Sequence, residues 1–356
     1  MVQPPPPGPP PYGQQPPYGQ QPQYGQPPPY GQPQYGQPQY GQPPPYGGMP
    51  PYGGPNPYYA MAPKPGCIPL RPLSLSELIG GSFSAVTRNA RTVLALAVPV
   101  AVIQAVVAFI TQHYLAANGR QVIDNTDPSH PIVHWAQLYR VLTATVGLSL
   151  IGALFGAVLT GMLIVVVTED VVGRRADISL VWTKVRSRIV RLVVLSFVVS
   201  LASGIGLVFC LAPGIWLWGI WAVAVPALIV ENRGIGSALS RSRELVRGTF
   251  WRVWGVRALG YLIAGVIGFV ISEVFSVIGL AITGTDAGSS FVLSNSTVTH
   301  LSNGYLAFVA IGSAVSFLAT APLKAAVDSL LYVDLRMRKE NLADDLQRAA
   351  ALVRRG

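Results

Sequence analysis

From Val93 onward the chain alternates long apolar stretches with short segments in which polar and basic positions are crowded together. The apolar stretches run from Val93 to Ala116, Val141 to Thr168, Leu192 to Ala212, Ile215 to Val230, Leu259 to Thr283 and Tyr305 to Val333. About 20 mostly apolar residues suffice for a helix to cross a bilayer, so the pattern predicts six spans. The fourth stretch is the shortest. Pro213-Gly214, between the third and fourth, predicts a tight turn that makes those two antiparallel neighbours.

The polar segments have a pattern of their own. Ser74 and Glu77 form a capping-box signature, after which Leu75, Leu78, Ile79, Phe83, Val86 and Ala90 recur at helical spacing. Ile178, Val181, Trp182, Val185, Ile189 and Leu192 do the same beside Lys184, Arg186, Arg188 and Arg191. Both segments predict amphipathic helices, lying either in the membrane interface with arginines at the headgroups or packed on the bundle as connectors. The chain also echoes itself at one offset. Glu77-Leu78-Ile79 and Gly81-Ser82-Phe83 return as Glu244-Leu245-Val246 and Gly248-Thr249-Phe250, with Val86 matched by Val253. This predicts a parallel repeat of amphipathic helix, span, outer loop and span.

Before Cys67 the pattern vanishes. From Pro4 to Pro57 a unit close to Pro-Pro-Tyr-Gly-Gln recurs, with Tyr-Gly pairs beginning at Tyr12, Tyr18, Tyr24, Tyr30, Tyr35, Tyr40, Tyr46 and Tyr52. Proline removes backbone donors, glycine raises the cost of ordering, and no aliphatic run is present to bury. The expectation is a disordered tail of polyproline II character whose ends lie on the order of 45 Å apart. Evenly spaced tyrosines on an uncharged chain suit weak, many-fold partner binding; a solubilising spacer is the alternative.

Composition strengthens the membrane reading, because 50% hydrophobic against 11% charged residues lies outside the soluble globular class. The distribution of the basic residues then orients the spans. Arg120 and Arg140 fall on one side and Lys324 within the last stretch; every other lysine and arginine falls before the first span, between second and third, between fourth and fifth, or after the sixth. By the positive-inside rule both termini are expected to be cytoplasmic. The net charge of +10 therefore points to anionic lipid headgroups rather than nucleic acid, for no base-stacking platform accompanies it.

Few residues offer chemistry. Ionisable groups inside spans are costly and mark function by default, which singles out Glu273 on the fifth stretch and Lys324 with Asp328 on the sixth. Those last two stand four apart and can pair along one helix face. His130 and His134 have a spacing a metal could use, but Pro128 and Pro131 oppose the helix that would align them, so no metal or cofactor is expected. Cys67 and Cys210 are expected to be free thiols. Gly147, Gly152, Gly156 and Gly161 give the second span a small face for close helix contact. No nucleophile elbow, Walker loop or paired-cysteine motif occurs, and the expectation is a protein without catalysis.

Three stretches carry a resemblance: RPLSLSELIGGSF from Arg71, ALIVENRGIGSALSRSRELVRGTFWR from Ala227 and LLYVDLRMRKENL from Leu330. They resemble the membrane domain attached to some glycerophosphoryl diester phosphodiesterases and its stand-alone relatives in actinobacteria, where Pro/Gly-rich tails often precede it. The resemblance covers about residues 68 to 345 and implies a membrane module only. In those phosphodiesterases catalysis belongs to a separate barrel of ~250 residues, for which this chain has no room.

The expected organisation is an all-α polytopic membrane protein: a tail over 1–66, a six-span domain with cytoplasmic amphipathic helices over 67–340, and a basic helix or tail over 341–356. The expected role is a membrane scaffold or accessory protein whose repetitive tail recruits protein partners. The alternative is a transporter or translocator of a lipid or amphiphilic small molecule, using the interface between repeats and Glu273.

Overall fold

A computed structural model of the chain describes residues 64–118, 122–124, 132–209, 211–283 and 302–340. The repetitive tail with its tyrosines, the residues from 341 onward, Cys210, His130 and the 284–301 loop all lie outside them. Within them the architecture is a polytopic helical membrane bundle, with six helical stretches long and apolar enough to cross a bilayer.

In chain order, α1 (Leu75–Arg88) leads into α2 (Ala90–Asn118). A minimal ladder follows, in which β1 (Ile123–Asp124) pairs antiparallel with β2 (Ile132–Val133). Next come α3 (Trp135–Val171), α4 (Ile178–Arg186) and α5 (Ile189–Phe209). Then α6 (Leu211–Ile220) and α7 (Ala224–Glu231) share one span, and α8 (Ile235–Val246), α9 (Phe250–Thr283) and α10 (Asn303–Glu340) complete the chain.

Local chemistry sets the boundaries. The Ser74 hydroxyl accepts from the Glu77 amide at 3.3 Å and Glu77 accepts from the Ser74 amide at 2.8 Å, so the capping box starts α1 as expected. The fourth span is broken at Trp221–Val223, between α6 and α7. Pro226 accounts for the break: in a continuous helix its ring would meet the carbonyl of Ala222, whereas in the first turn of α7 it is tolerated. Pro213 sits in the same way in the first turn of α6, so Pro213-Gly214 opens a helix rather than forming the turn expected there. Neighbourhood of the third and fourth spans holds all the same, since α5 packs on α6 and a side chain at Gly206 would meet the Gly214 backbone at 2.9 Å.

α3, α9 and α10 are ~50–57 Å long by their rise per residue, well beyond the ~30 Å hydrocarbon core. Their burial is lopsided. On α3 it concentrates between Ala157 and Val171, and on α10 between Thr320 and Met337, both toward the arginine-rich end. Elsewhere apolar side chains face outward in helical rows, such as Leu94, Val98, Val102, Val106 and Ile110 on α2. In water such a surface would be an aggregation liability; against acyl chains it is matched.

The residues ahead of α1 are part of the core. Cys67, Ile68, Leu70 and Leu73 are fully buried, and Gly66 lies so close to the Asp170 carbonyl that no side chain fits there. The short helices divide their faces: α1 buries Leu78, Gly81, Ser82 and Ala85 but exposes Leu75 and Phe83, while α4 buries Val181 and Val185 but exposes Ile178 and Trp182. A short helix followed by a span thus recurs as α1–α2, α4–α5 and α8–α9. The literal sequence echo does not superpose on this recurrence. Its first copy lies wholly inside α1, whereas its second straddles the α8–α9 break, where Gly248 takes φ +82°.

Candidate functional site

A buried charge in the spans centres on Arg257. The positions of the basic residues suggested a loop for it, but the structure places it two turns into α9 and 8% exposed. Its Nε and Nη2 donate to the two carboxylate oxygens of Asp328 on α10, at 2.9 and 3.2 Å. The Tyr261 hydroxyl donates to Asp328 at 2.9 Å, and Arg257 Nη1 donates to the Trp218 carbonyl at 2.6 Å. Beside it, the guanidinium lies 4.5 Å from the Trp218 ring centroid and 5.0 Å from that of Tyr261. A planar, fork-shaped cation fits this arrangement because it satisfies a carboxylate in bidentate fashion while stacking on aromatic faces.

The cluster stands at the wall of a cavity of about 750 Å³. Leu154 and Ala157 of α3, Val193 and Phe197 of α5, and Trp221 and Val225 flanking the broken span supply its apolar walls. Thr160, Ser196 and Ser200 with Arg257, Tyr261 and Asp328 are its polar features. The break in the fourth span frees backbone groups, and side chains take them up. The Ser242 hydroxyl on α8 donates to the Ile220 carbonyl at 2.7 Å and accepts from the Val223 amide at 3.3 Å. Interrupted helices at membrane depth are tolerated where protein or a cavity receives the backbone, and they recur at substrate sites.

Of the residues singled out in the sequence, the structure brings only Asp328 and Lys324 to this place, and it pairs them differently. Asp328 takes Arg257 rather than Lys324, whose ammonium instead lies 5.6 Å from the Tyr261 ring centroid. The in-register cation across the helix pair outcompetes the one four residues along. Glu273 is not part of the cluster: it lies 16 residues, ~24 Å, further along α9, half-buried and without a hydrogen-bond or ion-pair partner among the described residues. No group of three or more His, Cys, Asp or Glu side chains suited to a metal occurs among the described residues.

Nearer the arginine-rich end a second layer of ions ties the bundle together. Asp334, whose side chain is fully buried, accepts from the Leu73 amide at 2.7 Å, from Arg252 at 2.5 Å and from Arg338 at 3.0 Å. The two arginines also both donate to the Leu73 carbonyl at 2.7 Å. A parallel hub forms at Glu231, which accepts from the Tyr332 hydroxyl at 2.7 Å, Arg233 at 2.5 Å and Arg241 at 3.1 Å. Arg241 also reaches Glu340. The stretches beginning at Arg71, Ala227 and Leu330 therefore converge on one polar network, although up to 265 positions separate the bonded residues. Compared with known proteins, the chain matches no family model, no curated protein and no solved structure.

Two glycines of the second span make the close contacts expected of a small face, toward different neighbours. Gly152 receives Gln104 of α2, whose Nε2 donates to the Gly152 carbonyl at 2.8 Å, and Gly161 receives Leu192 of α5. Gly147 faces open space.

Proposed function

We propose that the chain takes a lipid or other amphiphile into the cavity beside its broken fourth span and passes it through the bilayer without covalent chemistry. One observation carries this reading: a satisfied ion pair with an aromatic partner stands at the wall of a large apolar space instead of being sealed within the core. Ion pairs in hydrocarbon are costly to assemble, and one exposed to a cavity offers a polar contact to the head of an otherwise apolar molecule. The arginine-rich end is read as cytoplasmic, in a bacterial plasma membrane, because arginine-bearing segments resist translocation. The resemblance to a phosphodiesterase membrane domain fits a membrane module and adds no hydrolysis.

The test is photolabelling of the purified full-length protein in nanodiscs with a long-chain alcohol bearing a diazirine. Labels are expected on α3 and α5 around Ala157 and Phe197. Ala157→Phe combined with Ser200→Phe fills the space and should abolish them, together with flux in reconstituted vesicles. Unchanged labelling in the folded double variant refutes the reading.

A second role rests on the tyrosine repeats from Tyr12 to Tyr52, which favour recruitment of protein partners to the membrane by a multivalent tail. Deleting residues 1–62 should disperse those partners in a crosslinking pulldown while leaving the amphiphile labelling intact. An unchanged pulldown counts against it.

A further inference from the structure

A second, smaller cavity of about 300 Å³ shares α3, α7 and α10 with the first and lies closer to the arginine-rich end. On α10 the first cavity is reached by Asp328 and the second by Tyr332 and Arg336, one and two turns further along. On α3 the corresponding residues are Ala157 and Thr160, then Val165 and Thr168; on α7 they are Val225, then Ile229. The two cavities are therefore stacked along one groove, about 12 Å apart from Asp328 to Arg336. Leu192 is fully buried in the notch left by Gly161, beside Ile229 of the second cavity.

Their electrostatics differ. In the first cavity the cation and the carboxylate compensate each other. The second is lined by Lys184, Arg188 and Arg336 with Glu169 as its single carboxylate. Lys184 is matched by Glu169 at 2.5 Å, and Arg336 by Glu340 at 2.7 Å. Among the described residues no carboxylate matches Arg188. Its Nη1 donates to the Ile229 carbonyl at 2.6 Å, and its Nε is buried with no acceptor among the described residues. Burial, and then the neighbouring Arg191, hold its guanidinium below the usual arginine range, as befits a cation short of an anion.

We infer that this cavity binds a singly charged phosphodiester, the head of an anionic membrane lipid, with Arg188 as its principal contact. One uncompensated cation calls for one negative charge. A guanidinium has five N–H donors in a planar fork, and the one bond that Arg188 makes leaves most of them for phosphate oxygens. Lys184, whose ammonium keeps protons beyond the one it gives Glu169, lies within the same walls and adds donors. The acyl part would lie along the groove toward the larger cavity, so the inference rests on the proposed amphiphile pathway and assigns its substrate class.

Full-length protein in phosphatidylcholine nanodiscs doped with phosphatidylglycerol tests this by native mass spectrometry of the retained lipid. Wild type should retain phosphatidylglycerol in preference to phosphatidylcholine, and Arg188→Gln should lower that preference on the order of tenfold, as the loss of a charge-assisted contact does. Arg188→Lys, which keeps the charge, should recover most of it. Should Arg188→Gln not fold, Lys184→Gln also cancels the net charge and should show the same loss. An undiminished preference in the folded glutamine variants overturns the inference. Displacement of the lipid by inorganic phosphate would assign the cavity to the free anion and overturn the lipid assignment. Diazirine-alcohol labelling of the larger cavity is a separate readout: if it persists while the headgroup preference is absent, this inference fails and the amphiphile reading stands.

Discussion

Arg257 and Asp328 stand 71 positions apart in the chain and meet at 2.9 Å inside the bundle, one on α9 and the other on α10. Each side chain is about 10% exposed, so removing either one strands the other's charge in a poorly solvated place. Arg257→Leu or Asp328→Leu alone should destabilise the protein by about 3–5 kcal/mol. The double variant Arg257→Leu/Asp328→Leu should recover most of that, because neither charge is left behind. Unfolding in mixed micelles measures it. If the pair is instead a purely additive surface feature, the two single effects will sum.

The Asp334 hub makes a different prediction, about docking rather than global stability. Its carboxylate holds the Leu73 amide together with Arg252 and Arg338, so it fastens the buried strap before α1 to the end of α10. Asp334→Asn keeps the shape but removes the charge that satisfies two arginines. Hydrogen exchange should then quicken in residues 67–78, while α9 beyond Tyr261 is unaffected. Equal protection in the variant would show that packing alone holds the strap.

How much of this could be read in the residues depended on the range of the interaction. Six spans, the capping box at Ser74 and the close contacts at Gly152 and Gly161 follow from periodicity and from side chains neighbouring one another on a single helix. The break at Trp221–Val223 had a legible cause in Pro226, but a short apolar stretch masked it, since hydropathy does not register a lost backbone bond. The pairing of Asp328 was hidden for another reason. Lys324 is near it in the chain and Arg257 near it only in space, and an arginine just beyond an apolar run looks like a boundary residue until the facing helix supplies a carboxylate. The cavity is a property of several helices together, and no local pattern encodes it.

Leu192 provides a test of how tightly the groove is packed beside Gly161. It is fully buried where Gly161 leaves room for it, and Leu192→Ala should cost about 2–5 kcal/mol because the neighbours cannot close the gap completely. The same change opens space next to Val193, which lines the larger cavity. Exchange of a labelled amphiphile out of the nanodisc-embedded protein should therefore accelerate, even as stability falls. A variant that is less stable but exchanges no faster would place the pathway elsewhere.

Cys67 offers a probe of the strap that works through pH. It is 2% exposed; burial pushes its thiol pKa upward and the Asp170 carboxylate beside it adds to the rise, so the folded chain keeps this proton well past the ordinary thiol range of ~8.5. A folded-state pKa above the unfolded one means that the contribution to stability is complete below that ordinary range and is lost as pH climbs through it toward the folded value. The thermal midpoint should thus fall between pH 8 and pH 10 more steeply for wild type than for Cys67→Ala, the difference between the two curves isolating this one group. In a Cys210→Ala background, maleimide should leave Cys67 unmodified at pH 8 until the fold is opened. Rapid labelling of the folded protein at that pH would mean that the strap is not held between α3 and α10, and that the Asp334 hub does not fasten it.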